Sequence, residues 1–253
     1  IRVDTDNDGT TDHSYNGYGN TLSDWEDQVG SNDGTVNGSP ALFTGQDFEA
    51  TVVTWYDQSG NGYDATQDTA GNQPKIAEDG SLLTWGGKPT IKPDGSDNFL
   101  INENAAWNTI NSTNLSCMTV AEGTSVTNKI LWAIGSSSGD DTDWLVGGGS
   151  VVGDLAFRGN RINSATTSVG TSGALLLTAL DVTGGDGFVN GTAIGSPATA
   201  SRNVTADRLV LFTRRGSSSL GTCTDQSISE IIFYSSDESA NRTGIESNIT
   251  DES

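Results

Sequence analysis

Short β-branched or apolar runs, cut apart by Gly, Ser, Asn and Asp, recur along this chain and leave little room for any architecture but strands. Leu115 to Ala121, Ile130 to Ile134, Leu155 to Phe157, Leu175 to Leu180, Leu209 to Phe212 and Ile228 to Tyr234 are such runs. Their spacing predicts an all-β fold, an antiparallel β-sandwich. Composition agrees: 32 Gly and a hydrophobic share of 33% suit many short strands better than a helical core. At 253 residues the chain is long enough for one large β domain. Asn190-Gly191, between Phe188-Val189 and Thr192-Ala193-Ile194, predicts a tight hairpin, because a type I′ turn needs positive φ at both central residues. Near the C-terminus Ser235 and Glu238 form a capping-box pattern. Ala240, Ile245 and Ile249 then make the buried side of a short helix.

The most distinctive stretch is Trp55 to Lys75, WYDQSGNGYDATQDTAGNQPK. It follows a predicted strand, Val52-Val53-Thr54-Trp55-Tyr56, whose residue types suit a pleated, half-buried surface. Asp57, Ser59, Gly60, Asn61, Gly62 and Asp64 then supply turn chemistry: side chains that bond their own backbone, and glycines free to take positive φ. Downstream, Gly86-Gly87-Lys88-Pro89 leads into Thr90-Ile91-Lys92, and Asp94-Gly95 into Phe99-Leu100-Ile101.

Taken in order, WYDQSGNGYDATQ, NQPKI, GKPTIKPDGSDNFL, FVNGTAIGS and ISEIIFY resemble the laminin-G-like jelly rolls of the concanavalin A-like lectin/glucanase superfamily. The resemblance covers roughly residues 50 to 250. It implies a concanavalin A-like sandwich of jelly-roll type with a short C-terminal helix. The domain plan that follows is an acidic N-terminal segment over 1–40, joined to a sandwich over 41–253. Because an Ile-Arg-Val strand commonly lies inside such domains, the resemblance also implies that the chain is cut from something longer.

Charge narrows the partners. Lys and Arg total 12 against 33 Asp and Glu, a net charge of −21, which repels a phosphate backbone or an anionic membrane surface. Nucleic acid is therefore excluded as a partner. No apolar run approaches the roughly 20 residues that span a bilayer, so membrane insertion is not expected either. Cys117 and Cys223 are too few for a zinc site; a single bridge and two buried thiols both fit. Sequons begin at Asn37, Asn111, Asn114, Asn190, Asn203, Asn241 and Asn248, and matter only in a eukaryotic secretory route.

The first 40 residues are the most acidic part, and within them Asp4, Asp6, Asp8 and Asp12 stand at positions one, three, five and nine of a calcium-type loop. Gly9 takes the sharp bend. Position twelve is Tyr15 where an EF-hand has a bidentate Glu, so the loop is more similar to thrombospondin type 3 or dockerin-like calcium loops. Closely spaced carboxylates repel one another unless neutralised, which makes Ca2+ the expected cofactor, set against a solvated acidic turn.

Catalytic signatures are sparse. His13 is the only histidine and has no nucleophile motif beside it, so no Ser-His-Asp triad is predicted. A glycosidase needs two carboxyls facing each other across a sugar. Relatives of the arabinofuranosidase B type share the Tyr-Asp-Gln-Ser-Gly stretch but carry a vicinal cysteine pair and an Asp-Tyr-Gly-Asn-Ala-Glu segment. Laminarinase-type relatives carry a Glu-x-Asp-x-x-Glu signature. This chain has none of the three. Glu230, in an alternating strand, reads as structural, hydrogen-bonded to neighbouring strands or loops.

For sugar binding, Trp25, Trp85, Trp107 and Trp144 lie in polar surroundings and are candidate exposed platforms, whereas Trp55 and Trp132 lie in strand-like runs and read as core. The preferred ligand loop combines Asp140, Asp141, Asp143 and Trp144, with Arg214 and Arg215 as polar partners. The functional expectation is a non-catalytic recognition or adhesion module at an extracellular, cell or virion surface, binding glycans through sandwich loops. Two alternatives are kept. One is a structural subunit of a capsid, fibre or filament acting through other copies or other proteins; the other is a glycoside hydrolase.

Overall fold

β-branched and apolar residues that alternate in sequence put one set of side chains on each face of a strand, and here both faces are used. In the computed structural model the run Ser116–Glu122 is buried on both sides. Cys117 and Ala121 join the main core, and Met118 joins a second cluster on the opposite face. The structure describes residues 2–3, 13–14, 49–85, 87–112, 115–122, 129–137, 142–148, 154–158, 165–168, 174–180, 186–194, 205–213 and 223–251. The chain divides into two units, Ile1–Asp47 and Phe48–Ser253.

In the first unit β1 (Arg2–Val3) pairs antiparallel with β2 (His13–Ser14), Arg2 opposite Ser14 and Val3 opposite His13. Asp4, Asp6, Asp8 and Asp12, the expected calcium ligands, lie outside the described residues.

The second unit is an antiparallel β-sandwich with a short C-terminal helix, as the strand spacing predicted. Its opening segments are β3 (Ala50–Thr51), β4 (Thr54–Trp55), β5 (Ala65–Thr66), β6 (Lys75–Glu78), β7 (Ser81–Leu82), β8 (Thr84–Trp85), β9 (Lys88–Pro89) and β10 (Leu100–Glu103). A helix α1 (Ala106–Ser112) leads to β11 (Ser116–Glu122), then β12 (Ile130–Gly135), β13 (Thr142–Gly148), β14 (Asp154–Arg158) and β15 (Ala165–Ser168). The chain continues through β16 (Ala174–Leu180), β17 (Asp186–Val189), β18 (Thr192–Ile194), β19 (Arg208–Leu211) and β20 (Ile228–Tyr234), and closes on α2 (Arg242–Asp251).

Eight strands form one sheet in the order β15-β14-β13-β12-β19-β10-β5-β4, and five form the other in the order β18-β17-β16-β11-β20. The two sheets meet over Leu100, Trp132, Ile134, Leu209 and Leu211 on one side and Cys117, Ala121, Leu177 and Ala179 on the other. Trp132 is fully buried and packs edge-on against Phe233 at 5.1 Å. The β17–β18 hairpin turns on Asn190 (φ 49°) and Gly191 (φ 75°), the positive pair that Asn-Gly predicted.

Helix α2 covers the outer face of the five-stranded sheet, where Ile249 and Ile245 meet Met118, Leu176 and Ile232. Glu246 is pinned there between Thr178 Oγ1, which donates at 2.6 Å, and Arg242, which donates at 2.5 Å. The Arg242 guanidinium also lies 3.9 Å from the centre of the Phe188 ring. Two details of the predicted helix are corrected. Ala240 is exposed, and the turn before the helix is tied by Glu238 to Ser236 and Asn241, with Ser235 exposed. Cys117 and Cys223 are free and buried, which settles the pairing left open by the sequence.

Candidate functional site

The site begins where the first strand of the distinctive stretch stops. The alternation predicted a strand through Val52–Tyr56, but the pairing covers only Thr54 and Trp55. Asp57 captures the chain and ends it. Its Oδ1 accepts from Ser59 N–H at 2.8 Å, and its Oδ2 accepts from Ser59 Oγ at 2.8 Å and from Tyr63 N–H at 3.1 Å. Asp64 closes the ring by accepting from Asp57 N–H at 2.8 Å. Partial burial would push the Asp57 carboxyl up, but the donors from Ser59, Tyr63 and Asn61 outweigh it and hold the group below the ordinary aspartate range. Gly60 (φ 82°) and Gly62 (φ 75°) supply the left-handed backbone the loop requires.

The loop is also anchored from behind. Tyr63 stacks at a tilt on Trp107, 5.7 Å between ring centres, and Asn102 Nδ2 donates to the Asp64 carbonyl at 2.7 Å. This corrects the reading of Trp107 as an exposed platform. It is 2% exposed, and its Nε1 donates to Asn102 Oδ1 at 2.7 Å. Trp85 is partly buried, and its Nε1 is wholly so with no hydrogen-bond partner. Trp132 is core, as expected, and Trp55 packs partly buried against the core. Tyr56, expected as part of the strand, is the exposed aromatic among the described residues, at 65%.

Tyr56 is among the residues that line an open groove of about 570 Å³. The run from Thr51 to Tyr56 contributes to it together with Ile76, Pro89, Ile91 and Ser229. Reciprocal backbone bonds fix these walls. Ile91 and Ile228 exchange N–H···O=C bonds at 3.0 Å, Lys75 and Lys92 exchange them at 2.8 Å, and Val52 N–H donates to the Pro74 carbonyl at 2.8 Å. Such a groove is preformed.

Ser229 owes its position to a β-bulge. Val120 pairs with Glu230 but Ala121 pairs with Ile228, so Ser229 is the extra residue on β20. A bulge re-aims the side chain of the inserted residue, and Ser229 lines the groove with a buried Oγ that has no hydrogen-bond partner in the protein. Nothing in Ser-Glu-Ile-Ile announces this, because a bulge exists only relative to the partner strand. Glu230, beside it, lies 3.5 Å from Lys88 Nζ, which also donates to the Ile249 carbonyl at 3.0 Å.

Of the residues expected to contact ligand, Asp143 and Trp144 fall on β13, with Trp144 opposite Ile134. Asp140, Asp141, Arg214 and Arg215 lie outside the described residues, as does Trp25. Among the described residues no group of three or more His, Cys, Asp or Glu side chains is arranged to hold a metal ion. Among the same residues no helix is long and apolar enough to cross a membrane.

No protein-family model matches the chain, and no curated protein matches it. Solved structures do. Trypanosoma rangeli sialidase in complex with sialic acid is similar at 13% identity and TM-score 0.58, over 79% of this chain and 32% of that one. The same sialidase with 2,3-difluorosialic acid as a covalent intermediate matches at 12% identity and TM-score 0.56, over 80% of this chain and 32% of that one. A botulinum neurotoxin type C structure matches at 13% identity and TM-score 0.47, over 79% of this chain and 51% of that one, too loose a likeness to argue from. The chain thus spans about a third of the length of the sialidases, and at these identities the likeness is one of fold. It still corrects one expectation. The chain was read as non-catalytic, yet structures sharing its fold include sialidases, which are glycoside hydrolases, so that exclusion is withdrawn.

Proposed function

We propose that this chain is a carbohydrate-recognition module of laminin-G-like, concanavalin A-like type, acting at an extracellular, cell or virion surface. The observation that carries the reading is Tyr56, an aromatic residue 65% exposed that lines a groove. The C–H face of a sugar ring stacks on such a surface, and a few convergent hydroxyls fix its orientation. Thr51 and Thr54 are hydroxyl-bearing residues of the groove lining. The Asp57 network fixes the backbone that follows Tyr56.

The likeness to sialidase structures solved with sialic acid supports sugars as the ligand class, not any one sugar. The Asp140, Asp141, Asp143 and Trp144 loop with Arg214 and Arg215 is proposed as a second ligand surface, and Asp4, Asp6, Asp8 and Asp12 as a calcium loop that stabilises the N-terminal segment. Other copies of the chain or other proteins of an assembly are the alternative partners.

A glycan array probed with the wild-type protein and with Tyr56→Ala, each with calcium and with chelator, tests the reading. Wild type is expected to bind, and Tyr56→Ala to bind about tenfold more weakly, the equivalent of roughly 1.4 kcal/mol. Absence of binding to any glycan refutes it. Release of free sugar from a bound glycan would add hydrolysis, and the acids responsible would have to come from beyond the described lining of the groove, which carries no carboxyl.

A further inference from the structure

We infer that Asp64 and Gln58 are positioning residues of the glycan site, which clamp the peptide unit that follows Tyr56; the inference rests on Tyr56 marking that site. The peptide between Tyr56 and Asp57 is held at both poles. Gln58 Nε2 donates to the Tyr56 carbonyl at 2.9 Å, and the Asp57 N–H donates to Asp64 Oδ1 at 2.8 Å. On the other side Tyr56 follows Trp55, which pairs with Ala65. Backbone held before and after a residue fixes the direction of its Cα–Cβ bond and leaves the ring only its own side-chain torsions.

Asp64 can serve as a clamp because it is anchored from the interior. Asn102, 7% exposed, donates through Nδ2 to the Asp64 carbonyl at 2.7 Å and accepts from Trp107 Nε1 at 2.7 Å. Asp57 closes the loop in the reverse direction, its Oδ2 accepting from the N–H of Tyr63, the residue before Asp64, at 3.1 Å. Each carboxylate thus ties one end of the loop to the other. Between them Gly60 and Gly62 take positive φ, and glycine supplies little stiffness of its own. Without the clamp a ligand would have to order this backbone as it binds, and that cost subtracts from affinity. What Asp64 supplies is a hydrogen-bond acceptor, which an asparagine carbonyl supplies equally, so its charge is not the requirement.

The test measures affinity for an oligosaccharide selected on the array. Asp64→Ala should keep the sandwich folded and bind about fivefold more weakly than wild type. Asp64→Asn restores the acceptor without the charge and should recover most of that loss. Gln58→Ala removes an exposed side chain and leaves the packing of the sandwich untouched, so it tests the clamp even where Asp64→Ala does not fold; binding about threefold weaker is expected. The decisive readout is the cycle with Tyr56→Ala. A residue acting through Tyr56 has nothing left to position once the ring is gone, so Asp64→Ala and Gln58→Ala should add almost no further loss on that background. Wild-type affinity in both Asp64→Ala and Gln58→Ala, with Tyr56→Ala weakened, overturns the inference and leaves glycan recognition standing. Losses of equal size with and without the Tyr56 ring overturn it too, since the two residues would then act independently of Tyr56. Failure of Asp64→Asn to recover binding shows a charge requirement and overturns the acceptor role. Wild-type affinity in Tyr56→Ala, or no glycan binding at all, overturns the reading beneath and the inference with it.

Discussion

Trp132 Nε1 donates a 3.0 Å hydrogen bond to Thr119 Oγ1 across the interior of the sandwich. The two residues come from opposite sheets, β12 and β11, and both are buried to 1% exposure or less. The bond lets the largest side chain of the core carry its polar atom inside without leaving it unpaired, and Phe233 closes edge-on over the same ring. Thr119→Val keeps the volume and removes the acceptor that the indole uses. It should destabilise the domain by about 1–3 kcal/mol, read as a lower denaturant midpoint with unchanged slope. An unchanged midpoint would mean the bond contributes nothing net.

Glu246 ties the C-terminal helix to the sheet. Its partners Thr178 and Arg242 are largely buried with it, so Glu246→Ala strands a guanidinium and a hydroxyl in a poorly solvated place. A loss of about 2–4 kcal/mol is expected, with the amides of α2 exchanging fastest in hydrogen-exchange mass spectrometry. Uniform loss of protection, with no bias toward α2, would contradict the assignment of this triad as the helix anchor.

How much of this was legible beforehand differs by element. β20 (Ile228–Tyr234) and β12 (Ile130–Gly135) could be read from the chain because β-branched, apolar residues fill them and polar turn residues bound them. The β17–β18 turn could be read because Asn-Gly supplies two positive φ values in one place. Trp107 misled, since its sequence neighbours are polar. Its burial comes from tertiary partners, Asn102 for the indole N–H and Tyr63 and Phe233 for the ring. Tyr56 was hidden by an alternation that continues in sequence one residue past the point where Asp57 breaks the pairing. Ser229 could not be found at all, because its bulge depends on the register against β11.

Asp57 makes the loop acid-sensitive in a defined direction. Its folded-state carboxyl titrates below the ordinary aspartate value, so its contribution is fully present above about pH 4, the unfolded value, and is lost as pH falls through the lowered folded one. Carbon-detected NMR titration should show Asp57 ionising below a free aspartate. Asp57→Ala should deprotect the amides of Ser59 and Tyr63 at neutral pH without unfolding the sandwich. A carboxyl titrating above the ordinary value would mean that burial wins over the donors.

The two thiols are predicted to be inert. Burial pushes the Cys117 thiol up, with the hydrogen bond to Thr119 opposing only weakly, and burial likewise raises Cys223. Both stay protonated at neutral pH and poorly nucleophilic. A thiol reagent at pH 8 should label neither in the native protein and both in denaturant, and reductant should leave the thermal midpoint unchanged. Rapid native labelling of either cysteine would show that its site opens.

The central claim is that Tyr56 marks a glycan site in the groove it lines, and titration of Tyr56→Ala against an oligosaccharide selected on the array tests it most directly. The account predicts a folded variant that binds about tenfold more weakly than wild type. Wild-type affinity in Tyr56→Ala would contradict it and shift attention to the Trp144 strand and its flanking loops.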